Sequence, residues 1–105
     1  MEKPVETFEV EVKSHRQTYR IFDERAFLAV PAMFRSENEA PRAQVLLAFH
    51  GGEEEASYLH VGEAIKVDYR FADASGFAEV RLVELPDDDE DGFVARLLVT
   101  RFVWA

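Results

Sequence analysis

Ile65-Lys66-Val67-Asp68-Tyr69-Arg70-Phe71 decides the fold class, because apolar and charged side chains alternate at every step. Successive side chains of an extended chain point to opposite faces. A period of two therefore sends Ile65, Val67, Tyr69 and Phe71 toward a core and Lys66, Asp68 and Arg70 toward water. The chain opens on the same pattern, with Phe8, Val10 and Val12 facing one way and Thr7, Glu9, Glu11 and Lys13 the other. Ala43, Val45, Leu47 and Phe49 share a face, but Leu46 and Ala48 on the opposite face are apolar too. That segment reads as a strand covered on both sides. Phe77 to Leu85 and Phe93 to Trp104 are rich in Val, Leu and Phe and bounded by Gly or Pro, which adds two further strands. Leu59 to Val67 carries a strand end that turns at Gly62-Glu63 into the alternating segment. Ala72 to Gly76 reads as a turn and Ser36 to Pro41 as a polar loop.

Residues 16–35 admit two readings. Tyr19 and Ile21 suggest a strand that follows a turn near Ser14-His15. Asp23 as N-cap, with Glu24 in the first turn, predicts a short helix that Pro31 would end. An edge strand broken by Pro31 fits the same residues. The expectation is an all-β chain, with residues 1–105 forming a single domain of six or seven mainly antiparallel strands and at most one short helix. Strands in this number hide their faces and edges as a small β-barrel or a two-sheet sandwich.

The 105 residues hold 21 acids, 12 bases, nine Phe, three Tyr, one Trp and no Cys, a net charge of −9. So many aromatic side chains need burial, which excludes a disordered tail. Without Cys, disulfides, Cys-ligated zinc, iron–sulfur clusters and thiol catalysis are excluded together. The charge is local. Eight of the acids sit in two runs, Glu53-Glu54-Glu55 and Asp87-Asp88-Asp89-Glu90-Asp91, and the remaining 13 nearly balance the 12 bases. Scattered bases and acidic runs argue against direct nucleic-acid binding, which needs a basic stripe against phosphates. Equally, two clusters on a neutral body do not spread carboxylates as a duplex spreads its phosphates. The start Met1-Glu2-Lys3-Pro4 lacks the apolar stretch of a signal peptide, and no apolar run approaches a membrane span. A soluble cytoplasmic protein without membrane contact is the expectation. In a simple meander the loops carrying the two acidic runs lie at one end of the domain, provided residues 57–61 do not form a strand separate from 64–71.

Catalytic and metal chemistry find little support. Asp87-x-Asp89-x-Asp91-Gly92 matches the first half of a calcium loop, but Leu98 stands where the bidentate Glu belongs. His15, His50 and His60 have no zinc-site spacing, even with Glu53 added. Ser14, Ser36, Ser57 and Ser75 lie in no nucleophile elbow, and Gly51-Gly52 precedes glutamates that repel phosphate. The reading is a non-enzymatic domain with no cofactor and no metal.

Two arginines four apart, Arg16 and Arg20, share a strand face and suit a phosphate or guanine edge. Arg16-x-x-x-Arg20 resembles the R-x-x-x-R element of PilZ domains, small β-barrels that receive cyclic di-GMP. Asp73-Ala74-Ser75 matches the first anchors of that family's D-x-S-x-x-G element, with Ala78 in place of its glycine and about fifty residues between the two elements. The resemblance implies a bacterial-type regulatory domain binding a cyclic dinucleotide through Arg16, Arg20, Asp73 and Ser75. Cross-strand ion pairing is the plainer account of the arginines.

The expected function is protein binding, as an adaptor or regulatory domain. Glu53, Glu54, Glu55, Asp87, Asp88, Asp89 and Asp91 would engage a basic surface on a macromolecular partner, and Trp104 would offer an aromatic anchor. A homo-oligomer formed through edge strands is a further expectation.

Overall fold

A computed structural model describes residues 2–13, 18–85 and 94–104. Eight strands run β1 (Glu2–Lys13), β2 (Thr18–Ile21), β3 (Ala26–Ser36), β4 (Glu39–Phe49), β5 (Glu54–His60), β6 (Ala64–Arg70), β7 (Ser75–Glu84) and β8 (Val94–Trp104). They form two four-stranded sheets, β1-β8-β7-β6 and β2-β3-β4-β5, antiparallel throughout. The fold is all-β, one strand richer than the upper count expected. The chain runs as a meander whose last strand returns to pair with the first, Phe8 opposite Val99. With β1 and β2 in different sheets, and β5 and β6 likewise, the ring of strands opens into a sandwich.

Alternation sorts the faces. Val45, Leu47 and Leu28 from one sheet meet Val67, Val80, Leu82, Leu97 and Val99 from the other, all within a few per cent of full burial. Burying each such side chain contributes about 1.5–3 kcal/mol. No helix lies among the described residues, and so none long and apolar enough to cross a membrane.

The helix anticipated after Asp23 is a strand. Residues 22–25 form the β2–β3 turn, and β3 lies between β2 and β4 rather than at an edge. Pro31 is tolerated there because the pairing with β4 slips between Ala29 and Ala32, a bulge that relieves the ladder where proline has no N–H to give. The polar loop expected over 36–41 contracts to the two residues Glu37-Asn38, since Ser36 already pairs with Glu39. Leu46 and Ala48 are not covered on their outer side: they are half-buried on the face that the second sheet turns away from the core.

The β5–β6 corner at 61–63 is a full chain reversal. Gly62 (φ 98°) donates its N–H to the Leu82 carbonyl at 2.8 Å, and Leu82 N–H returns a bond to Glu63 O at 3.0 Å. Arg81 also donates to the Gly62 carbonyl. The Glu63 carboxylate accepts the His60 backbone N–H at 2.7 Å and lies 3.1 Å from its Nδ1. That backbone bond first, and the ring second, hold the Glu63 carboxyl below its ordinary value. Because β5 and β6 are separate strands, the parity of the meander changes. The 50–53 loop lies at the end of the sandwich that also carries the 22–25 and 71–74 turns, whereas Glu84 of β7 and Val94 of β8 lie at the opposite end. The two acidic runs therefore do not flank a common end.

Candidate functional site

The end that holds the 22–25, 50–53 and 71–74 turns is closed by aromatic rings. Phe22 stacks on Phe49 at 5.9 Å and meets Phe8 edge-on at 6.0 Å. Tyr69 stacks against Phe49 at 5.3 Å and lies 4.5 Å from Phe71. Arg25 fastens the three turns together. Its guanidinium lies 3.9 Å over the Phe71 ring, its Nε donates to Phe22 O at 3.0 Å, and its Nη1 pairs with Asp73 Oδ1 at 3.1 Å. His50 N–H completes the tie by donating to the Arg25 carbonyl at 2.8 Å.

Arg101 continues the inward phase of Ala95, Leu97 and Val99, and so brings a charge to the mouth of the core. Its side chain is only 17 % exposed; Nε donates to Glu6 Oε1 at 3.1 Å and Nη1 to the Tyr69 hydroxyl at 3.2 Å. Burial works against the charged form, but the hydrogen bonds to Tyr69 and Glu6 outweigh it and raise the pKa of Arg101 further. Tyr69 in turn donates to the Phe102 carbonyl at 2.7 Å. To do so its side chain lies across the strand that carries its partner Gly76. A methyl group on Gly76 would overlap the Phe102 carbonyl, so the close approach of β7 and β8 at this point requires glycine.

Beside this closure lies an open cleft of about 810 Å³. Gly51, Gly52 and Glu53 form one wall; Asp68, Tyr69 and Arg70 of β6, Ser75 and Gly76 of β7, and Trp104 of β8 form the rest. Gly51 adopts φ 72°, which lets the β4–β5 loop fold over beside the β6 edge. Trp104 is 49 % exposed. It is steadied on one side by Phe77, 5.2 Å away, which itself stacks on Phe102 at 4.5 Å. The cleft thus offers an indole face and two carboxylates, with one guanidinium among them.

Of the residues singled out in the sequence, Glu53, Trp104 and Ser75 meet in this cleft. Glu54 and Glu55 belong to the edge strand β5, paired with Ala48 and Leu47, instead of to a loop. Asp87, Asp88, Asp89 and Asp91 lie outside the described residues, as do Arg16 and the 14–17 turn. Arg20 sits on β2, its Nη1 3.4 Å from Glu24, whereas Asp73 pairs with Arg25 in the β6–β7 turn. No contact joins the two halves of the PilZ-like pattern among the described residues. His50 and His60 stand at opposite ends of the β4–β5 hairpin, and no group of three His, Cys, Asp or Glu among the described residues could hold a metal. Asp68 and Arg70 went unremarked in the sequence because their polar phase reads as ordinary solvated strand. Only the pairing Asp68–Phe77–Phe102, with Trp104 two residues on, shows what they flank.

Compared with known protein families, curated proteins and solved structures, the chain matches none.

Proposed function

We propose that this is a non-enzymatic protein-binding domain whose cleft receives a basic side chain, or a short basic segment, of a macromolecular partner. The observation that carries the reading is the meeting of Trp104 with Glu53 and Asp68 around one open cavity. An indole attracts a cation over its face by about 0.5–2 kcal/mol, and flanking carboxylates add charge-assisted hydrogen bonds. The same carboxylates disfavour a phosphate ligand, so a cyclic dinucleotide is the poorer fit to this cavity. Steering by the wider acidic surface would speed encounter more than it deepens affinity.

Trp104 is the single tryptophan of the chain, so its fluorescence reports on the cleft directly. Titration with a lysine- and arginine-rich peptide should shift or quench the emission saturably at low salt, while an aspartate-rich peptide should not. The doubly neutralised variant Glu53→Gln with Asp68→Asn should weaken binding about tenfold, the scale of one lost charge-assisted contact. Equal affinity in the variant, or a response to both peptides alike, rejects the reading.

A further inference from the structure

The outward faces of the two sheets differ in kind. Across the first sheet the rows are polar: Lys66 pairs with Glu79, Glu79 with Thr100, and Thr100 with Thr7. Across the second sheet one row reads Arg20–Phe27–Ala48–Glu54, and the next outward row reads Thr18–Ala29–Leu46–Ala56. Antiparallel sheets with one face in water normally show polar residues there. Here the middle of the face is apolar and the two edges carry opposite charges.

We propose that this face is the interface of a homodimer, formed with a second copy of the chain about a two-fold axis parallel to the strands. Such an axis sets β2 over the partner's β5 and β3 over its β4, at unchanged height along the strands. Arg20 of each copy then faces Glu54 of the other, and both charged edges are matched at once. Phe27 lies over Ala48 and Leu46 over Ala29, large against small, as interdigitating sheets require. A two-fold across the strands would instead put β2 on β2 and β5 on β5, with no opposite charge waiting at either edge. Arg20 is available for this role: its pair with Glu24 spans 3.4 Å between side chains 62 % and 72 % exposed, a contact of little strength.

Size and alternatives favour the same occupant. Four strands at ~4.8 Å and about seven residues of length give a flat footprint of roughly 400 Å² per copy. Side-chain relief brings the accessible area of the pair close to the ~1,200 Å² at which stable interfaces begin, so a reversible dimer is expected. Pairing through strand edges is less favoured, because β2 has four residues, β1 carries Pro4 beside a register shift, and β5 begins with Glu54 and Glu55.

Sedimentation velocity on the full chain, from about 1 µM to about 500 µM, tests the proposal, since a reversible dimer grows with concentration. The chain should pass from monomer to dimer across that range. Leu46→Lys should raise the dissociation constant at least ~100-fold by placing a desolvated charge on Ala29. The surface variant Arg20→Glu, which leaves the core untouched, should raise it about tenfold, and adding Glu54→Arg should bring it back to within about threefold. A monomer at every concentration overturns the proposal. So does a dimer that survives Leu46→Lys, or a dimer that Arg20→Glu weakens and Glu54→Arg does not restore.

Discussion

Tyr69 reads in the sequence as one more inward side chain of an alternating strand, and its ring does lie in the core. Its hydroxyl has a separate task. It donates to Phe102 O at 2.7 Å and accepts from Arg101 at 3.2 Å, across a gap that Gly76 leaves open. Those partners stand more than 30 positions along the chain, so no local pattern could expose them. Tyr69→Phe keeps the ring and removes the bridge. It leaves the Phe102 carbonyl and the Arg101 guanidinium each short of a partner, and should cost about 1–3 kcal/mol in denaturant unfolding, with the m-value unchanged. Glu63 gives a pH signature of opposite origin, set by exposed hydrogen bonds. Its folded pKa is lowered, so its contribution is complete above the unfolded value near 4.5 and is lost as the pH falls through the folded one. The melting temperature of Glu63→Gln should therefore lie below that of the parent at pH 7, and the two should converge near pH 3. A gap that persists there would assign the effect to packing.

At the scale of elements, the β2–β3 turn holds the most strain. Phe22, Asp23 and Glu24 take φ of 56°, 56° and 67°, three successive side chains in the left-handed region. Each costs roughly 1–2 kcal/mol relative to the right-handed form. The reward is the position of Phe22, 5 % exposed and sandwiched between Phe8 and Phe49. Glu24 has no such compensation. Glu24→Gly should stabilise the domain by about 0.5–1 kcal/mol, seen as a higher denaturant midpoint, because the relief of strain exceeds glycine's greater loss of freedom and the weak Arg20 pair. This turn is also where sequence reasoning fails most instructively. Asp23-Glu24 ahead of an apolar stretch carries the chemistry of a helix start, but Phe27 to Val30 is recruited into a ladder between two neighbours, and long-range pairing outweighs the local signal. The strands at 64–70, 75–84 and 94–104 were legible because a half-buried strand shows its period without help from elsewhere. β4 was legible as a strand and misread in its surroundings, since apolar residues on both faces do not say whether the second cover comes from the same chain.

For the whole molecule, the decisive step is the count of reversals. A corner at 61–63 between two short strands looks like a single turn in sequence, and it moves the 50–53 loop to one end while β7 and β8 join at the other. Of the candidate site, Glu53 and Trp104 were legible as an acid and an exposed aromatic. Their companions Asp68 and Arg70 were not, since which outward residues a cleft gathers depends on register across β6, β7 and β8. The long axis of the domain measures 45 Å, several times the ~8 Å over which charges act at physiological salt. The two acidic runs must then behave as separate electrostatic features. Neutralising Asp87, Asp88, Asp89 and Asp91 should leave the affinity of a basic peptide for the cleft within about twofold at 150 mM salt, as followed by Trp104 fluorescence, whereas Glu53→Gln should lower it several-fold under the same conditions. At ~10 mM salt the screening length grows to about 30 Å, and the four-residue neutralisation should then begin to slow association without changing dissociation. An equal loss from both sets of substitutions at high salt would mean that the runs act on one ligand together, and that the separation of the two ends does not govern binding.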